Sequence, residues 1–175
     1  AETGSQAMRR FIRAILIFAL GGILGVAAGF GLGIYLFPFI FPPPAGTDQL
    51  TQTEQQMPVF ANGTFIHADP SDRVHWGQGK VTVFKDQIYL NPDFKVGPGP
   101  DYRVLLVKKA NIKSKEEMKE LIAKKQFVEV SGLRSFEGGQ RYAIPAGVNV
   151  EEYQSVVIWC WAFSQLISPA TMEKK

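Results

Sequence analysis

Few side chains in this sequence can do redox or covalent chemistry. The only cysteine is Cys160, in the run Ser155-Val-Val-Ile-Trp-Cys-Trp-Ala-Phe163. A lone thiol closes no intrachain disulfide, and it excludes a multi-cysteine zinc site. Cys160 stands between Trp159 and Trp161, with no Lys, Arg or His beside it to favour the thiolate. Apolar burial raises a thiol above its ordinary pKa of about 8.5, which argues against a nucleophilic enzyme. It does not argue against a ligand, because haem iron or another cation supplies the missing charge. Two readings stand: an inert core residue, or a sheltered redox or ligating group.

The other soft-metal candidates are His67 and His75, which flank a turn-like stretch containing Asp69 and Asp72. His75, beside Trp76, is the better second ligand to pair with Cys160. Against this stands a reading in which both histidines cap strand ends or face water. Two aspartates without an ordered ligand loop do not make a calcium site, and no metal site is assigned. The chain has no phosphate-cradling loop, zinc-protease motif or nucleophile elbow.

The elements that position these residues are mostly strands. Lys80–Phe84, Gln87–Leu90, Tyr102–Val107, Phe127–Val130, Arg141–Ile144 and Val156–Phe163 are short apolar bursts. Lys85-Asp86 reads as a tight hairpin turn. Gly97-Pro-Gly-Pro100, Gly138-Gly139 and Pro145-Ala-Gly147 read as turns. The expected fold is mainly β, an antiparallel sandwich or barrel. In Val156–Phe163, alternation sets Val156, Ile158, Cys160 and Ala162 on one face. Val157, Trp159, Trp161 and Phe163 fall on the other. Both faces are apolar, so the strand is central, with its small-residue face toward the sandwich interior.

One short α-helix is inserted, Ser114–Lys125, with Ser114 as cap, Glu117 as capping-box partner and Met118, Leu121 and Ile122 on one face. Segment 108–125 carries seven lysines against three glutamates. It reads either as a docking surface for an acidic partner or anionic headgroups, or as a solvated helix covering a sheet edge.

Ahead of the domain, the uncharged run Ala14–Phe37 has 24 residues. As a helix it is about 36 Å long, enough to cross a bilayer. Pro38 and Pro42-Pro43-Pro44 are expected to stop it. Arg9, Arg10 and Arg13 precede it, which places the N-terminus in the cytoplasm and the domain in the periplasm or extracellular space. Those arginines account for most of the net charge of +3, so the basic balance is no nucleic-acid signature. Gly21, Gly25, Gly29 and Gly33 form a ridge that suits a homo-oligomer or a membrane partner. The expected organisation is a 1–7 expression remnant, an 8–41 transmembrane anchor, a 42–59 polar linker and a 60–172 domain. Asn62-Gly63-Thr64 matches a glycosylation sequon.

Several motifs follow one another in order: Gly63-Thr-Phe65, Val74-His-Trp-Gly77, Asn91-Pro-Asp-Phe94, Gly97-Pro-Gly-Pro-Asp101, Val130-Ser-Gly-Leu133, Tyr142-Ala-Ile-Pro-Ala-Gly147 and Tyr153-Gln-Ser-Val-Val-Ile-Trp-Cys160. Together they resemble the DM-thirteen (electron-transfer DM) domain over about residues 60 to 172. The resemblance implies a β-sandwich whose cysteine, here Cys160, takes part in electron transfer as a bare thiol or a prosthetic-group ligand. The resulting expectation is a membrane-anchored redox module with a redox partner protein and no nucleic-acid partner. Cys160 and His75 would be its ligating residues, with Trp159 and Trp161 as an aromatic wall. An electron-transfer or binding module is expected more than a stand-alone enzyme. The alternative is a structural or binding module in which Cys160 is core.

Overall fold

The computed structural model describes residues 2–175; Ala1, within the expected remnant, lies outside the described residues. The chain divides into two compact units, Ala1–Phe37 and Pro38–Lys175. The first is almost wholly one helix, α1 (Glu2–Ile40). Its stretch Gln6–Ile40 is long and apolar enough to cross a membrane. The helix runs two residues past Pro38, where a stop was expected. A proline this close to the C-terminus removes a single backbone bond, and the triple proline beginning at Pro42 ends the element.

The second unit contains β1 (Gly46–Thr47), α2 (Gln52–Gln55), β2 (Ala61–Thr64), β3 (Gly77–Gln78), β4 (Lys80–Val83), β5 (Gln87–Leu90) and β6 (Lys95–Val96). It continues with β7 (Tyr102–Val107), α3 (Lys115–Ala123), β8 (Phe127–Gly132), β9 (Gly138–Ala143), β10 (Ser155–Cys160), β11 (Gln165–Thr171) and β12 (Glu173–Lys174). One sheet has the order β1-β9-β5-β4-β2-β12, the other β11-β10-β7-β8, and β3 pairs with β6. All pairings are antiparallel except β1 with β9. The sheets form a sandwich and not a closed barrel.

Period-two alternation builds the interior. Val81, Val83, Ile88, Leu90 and Tyr142 from one sheet share a core with Val104, Leu106, Val156, Ile158 and Cys160 from the other. The opposite face of the four-stranded sheet is also apolar: Leu105, Val107, Val157 and Trp159 join Leu166 and Ile112. Helix α3 closes this second layer through Met118 and Leu121, 0% and 6% exposed. Burying two such side chains contributes about 1.5–3 kcal/mol each, as an upper bound. The helix therefore covers a face of the sheet and not its edge. Ser114 caps it by accepting from the Glu117 N–H at 3.2 Å. The Glu117 carboxylate accepts from the Lys113 N–H at 2.9 Å, so the reciprocal half of the box is displaced by one residue.

Segment 46–56, expected as part of a free linker, is strapped onto the six-stranded sheet. Its Asp48 carboxylate pairs with Arg134 and accepts the Arg141 N–H at 2.9 Å. Glu54 takes the Arg141 guanidinium at 2.7 Å. Gly138 and Gly139, expected as a turn, are the start of β9 and lie against β1. Gly138 holds φ +86°, a left-handed backbone that glycine adopts freely, and the Gly46 backbone fills the space a side chain would need.

Candidate functional site

Strand β10 lies between β7 and β11, which explains its burial on both faces. Cys160 is its last residue and is 1% exposed. The strand stops here, three residues short of the expected end, because the chain turns. The Trp161 N–H donates to the Asp101 carbonyl at 3.1 Å, and Ser164 adopts φ +50°. A bulge shifts the β10–β11 register between Ile158 and Trp159, so Cys160 faces Gln165 on one side and Tyr102 on the other. Bulges of this kind bend a strand and re-aim its side chains.

Two loops enclose the sulfur. The thiol donates to the Pro100 carbonyl at 3.1 Å, in the Gly97-Pro-Gly-Pro-Asp101 loop. The backbone N–H groups of Phe163 and Ala162, in the turn after β10, point back at Sγ. Burial pushes the thiol pKa up; those two N–H groups oppose the shift, and the Asp101 carboxylate adds to it. The resting sulfur at neutral pH is therefore a protonated thiol with one acceptor and two backbone donors around it. That donor set fits a bare thiol. Among the described residues, no group of three or more His, Cys, Asp or Glu could hold a metal ion.

A charged clamp on the Trp159 face of the sheet anchors the loop that carries Pro100. Arg103 bonds Asp101 at 2.6 and 2.8 Å and Glu129 at 2.7 Å. Glu129 accepts the Trp161 indole N–H at 3.1 Å. The clamp ties the loop over the thiol to the turn beneath it. Sequence reasoning missed Asp101, Arg103 and Glu129 as site residues, although Arg103 was the one charge inside an apolar strand and a signal of a specific partner.

The remaining expected site residues lie elsewhere. Trp159, 1% exposed, points to the outer cluster and stacks edge-on to Trp161 at 6.4 Å. The tryptophans thus stand on the sheet face opposite the thiol. His75 lines a hollow of about 160 Å³ with Ala68, Leu166 and the start of α3. Ala68 and Leu166 belong to the outer cluster, whereas Cys160 belongs to the inner one. The hollow is also lined by Gln165, the register partner of Cys160, while the hydrogen bond of His75 goes to Asp72 and that of Cys160 to Pro100.

His75 belongs instead to a loop organised by Asp72. Its Nδ1 meets the Asp72 carboxylate at 2.6 Å, and that carboxylate also accepts the N–H groups of Val74 and His75. His67 Nε2 bonds the Asp72 carbonyl at 2.7 Å. Burial works to raise the Asp72 pKa, but the His75 and Val74 hydrogen bonds outweigh it and hold the carboxyl at about 2. A depressed carboxyl stabilises the fold above its unfolded value of 3.8 and loses that contribution as pH falls through about 2. Asp72→Asn should therefore flatten the acid limb of the thermal midpoint between those two values. An unchanged acid limb in pH-resolved melting would show that another carboxylate controls it.

No curated protein and no solved structure matches the chain. A family model, electron transfer DM13, matches residues 68–172, from just after His67 through β10, the enclosing loops and β11. That stretch is more than half of the chain and contains the whole thiol site, so the protein belongs to the electron transfer DM13 family and its function lies in electron transfer.

Proposed function

We propose that this protein is a membrane-anchored, extracytoplasmic electron-transfer module whose redox atom is the Cys160 sulfur. The observation that carries the reading is the enclosure of that sulfur: a thiol donating to Pro100, faced by two backbone N–H groups, under a loop that Arg103 anchors at Asp101. Backbone donors aimed at a sulfur stabilise negative charge there without a mobile counterion. In a transfer step the Sγ–H bond breaks, the sulfur gives one electron to an oxidised partner protein, and the proton goes to water. A reduced partner returns the electron, and water the proton. The apolar helix α1 supports anchoring, and Arg9, Arg10 and Arg13 before it support a cytoplasmic N-terminus.

A second reading, a binding module in which the sulfur only fills space, is favoured by its 1% exposure within the inner core. Protein-film voltammetry of the full chain in lipid separates the two. A redox signal lost in both Cys160→Ser and Cys160→Ala, with the domain's melting retained in at least one, is the expected result. A signal that survives both substitutions, or a wild type silent across the accessible range, would overturn the thiol assignment. Protease added to cells stripped of any outer envelope, with the anchoring membrane intact, should digest the domain; protection until that membrane is lysed would reverse the sidedness.

A further inference from the structure

We propose that the exposed face of α3 is a docking surface for an acidic protein that exchanges electrons with this domain, an inference that rests on the electron-transfer reading above. Of the seven lysines in segment 108–125, three are committed within the fold. Lys108 pairs with Glu152, Lys109 with Glu117 and Lys124 with Glu120. Among the described residues, Lys113, Lys115, Lys119 and Lys125 form no ion pair.

Three of these sit where local physics disfavours a lysine. Lys115 opens the helix, at the positive end of its dipole. Lys119 lies four residues on, on the same face, where like charges repel. Lys125 follows the helix with φ +54°, a left-handed conformation that glycine or asparagine takes more readily. Glu116 and Glu117 in the first turn, and Asp69 and Asp72 in the hollow that Lys115 lines, offset only part of the cost at Lys115. Sequence choices that break several local rules in one short segment mark a functional surface.

The occupant follows from what the helix lacks. A helix that binds a bilayer inserts its apolar face, but the apolar face of α3 is already spent on Trp159 and its neighbours. What remains outward is charge, which steers a complementary acidic protein quickly and holds it briefly, as electron transfer requires. The placement suits that role, because α3 covers β10 on the face of Trp159, the residue directly before Cys160.

The test uses the full chain in phosphatidylcholine nanodiscs and a fluorescent oligoglutamate peptide at low salt. Lys115→Gln with Lys119→Gln should weaken peptide binding about fivefold or more. Lys80→Gln with Lys85→Gln removes the same charge from the six-stranded sheet and the turn beside it, and should change binding less than about twofold. Equal losses in both pairs would reduce the effect to bulk charge and overturn the proposal. So would peptide binding that ignores Lys115 and Lys119. If the α3 pair instead abolishes binding to vesicles of equal parts phosphatidylcholine and phosphatidylserine while peptide binding is unchanged, the surface is a lipid site and the proposal is wrong. Peptide binding should survive Cys160→Ser, and the voltammetric signal should survive the α3 pair, so failure of either reading is seen separately.

Discussion

Trp159→Ala is expected to lower the stability of the domain by about 3–5 kcal/mol, the usual range for removing a large buried aromatic. Trp159 is the largest fully buried side chain in the molecule, 1% exposed at the centre of the outer cluster. Alanine there leaves a cavity between the four-stranded sheet and α3, and removes the edge contact to Trp161. The indole also carries a liability: its Nε1 is the one buried side-chain nitrogen or oxygen without a partner among the described residues. An unmet buried donor costs about 1–3 kcal/mol. Trp159→Phe should therefore lose far less than the alanine variant, because the smaller ring sheds the orphan N–H along with some volume. Melting of the two variants in detergent measures both effects. An alanine variant within about 1 kcal/mol of wild type, or a phenylalanine variant as unstable as alanine, would show that the outer layer is not a packed second core.

The two faces of β10 were readable in the sequence because strand alternation is rigid. Val156, Ile158 and Cys160 turn inward and Val157 and Trp159 outward, as the period of two requires. The helix face of Met118 and Leu121 was equally legible, and the Gln87–Leu90 and Tyr102–Val107 strands have the expected bounds. Three features were not legible. Strand β11 holds Pro169 and Ser168 at its centre and lacks a strand's apolar period; it exists because β10 pairs with it at the sheet edge. The strap at 46–56 is polar and reads as linker, and what holds it down is distant in sequence: the β9 backbone, Tyr89, Arg134 and Arg141. No local pattern encodes such long-range ion pairs. The Asp72 hydrogen bonds that organise the 67–75 loop likewise depend on how that loop folds back on itself, which spacing along the chain does not specify.

The contact that the structure gives the thiol puts the weight of the site on the loop over it. Gly99→Ala should raise the rate at which native Cys160 reacts with a small maleimide by about tenfold or more, equivalent to about 1.4 kcal/mol off the cost of opening. A Cβ at Gly99 would overlap the Tyr102 hydroxyl and stand 2.6 Å from ring atoms Cε1 and Cζ. The ring has little room to retreat: it is 5% exposed and set edge-on to Phe136 at 5.8 Å. Its strand is paired with β10 at the register position of Cys160 itself. The loop must lift instead, carrying away the Pro100 carbonyl that accepts the thiol hydrogen. Gly132→Ala is the matched control, because a Cβ there meets nothing within 4 Å. Both variants keep the thiol protonated at neutral pH as long as the sulfur is covered, so a faster reaction in Gly99→Ala reports access and not altered acidity. The distinction is checked by pH: a gated thiol gains rate in parallel across the alkaline range, whereas a shifted pKa moves the midpoint. Equal labelling of the two variants at equal thermal stability would mean that solvent reaches the sulfur by some path other than this loop, and the Arg103 clamp that ties the loop down would then have no part in guarding it.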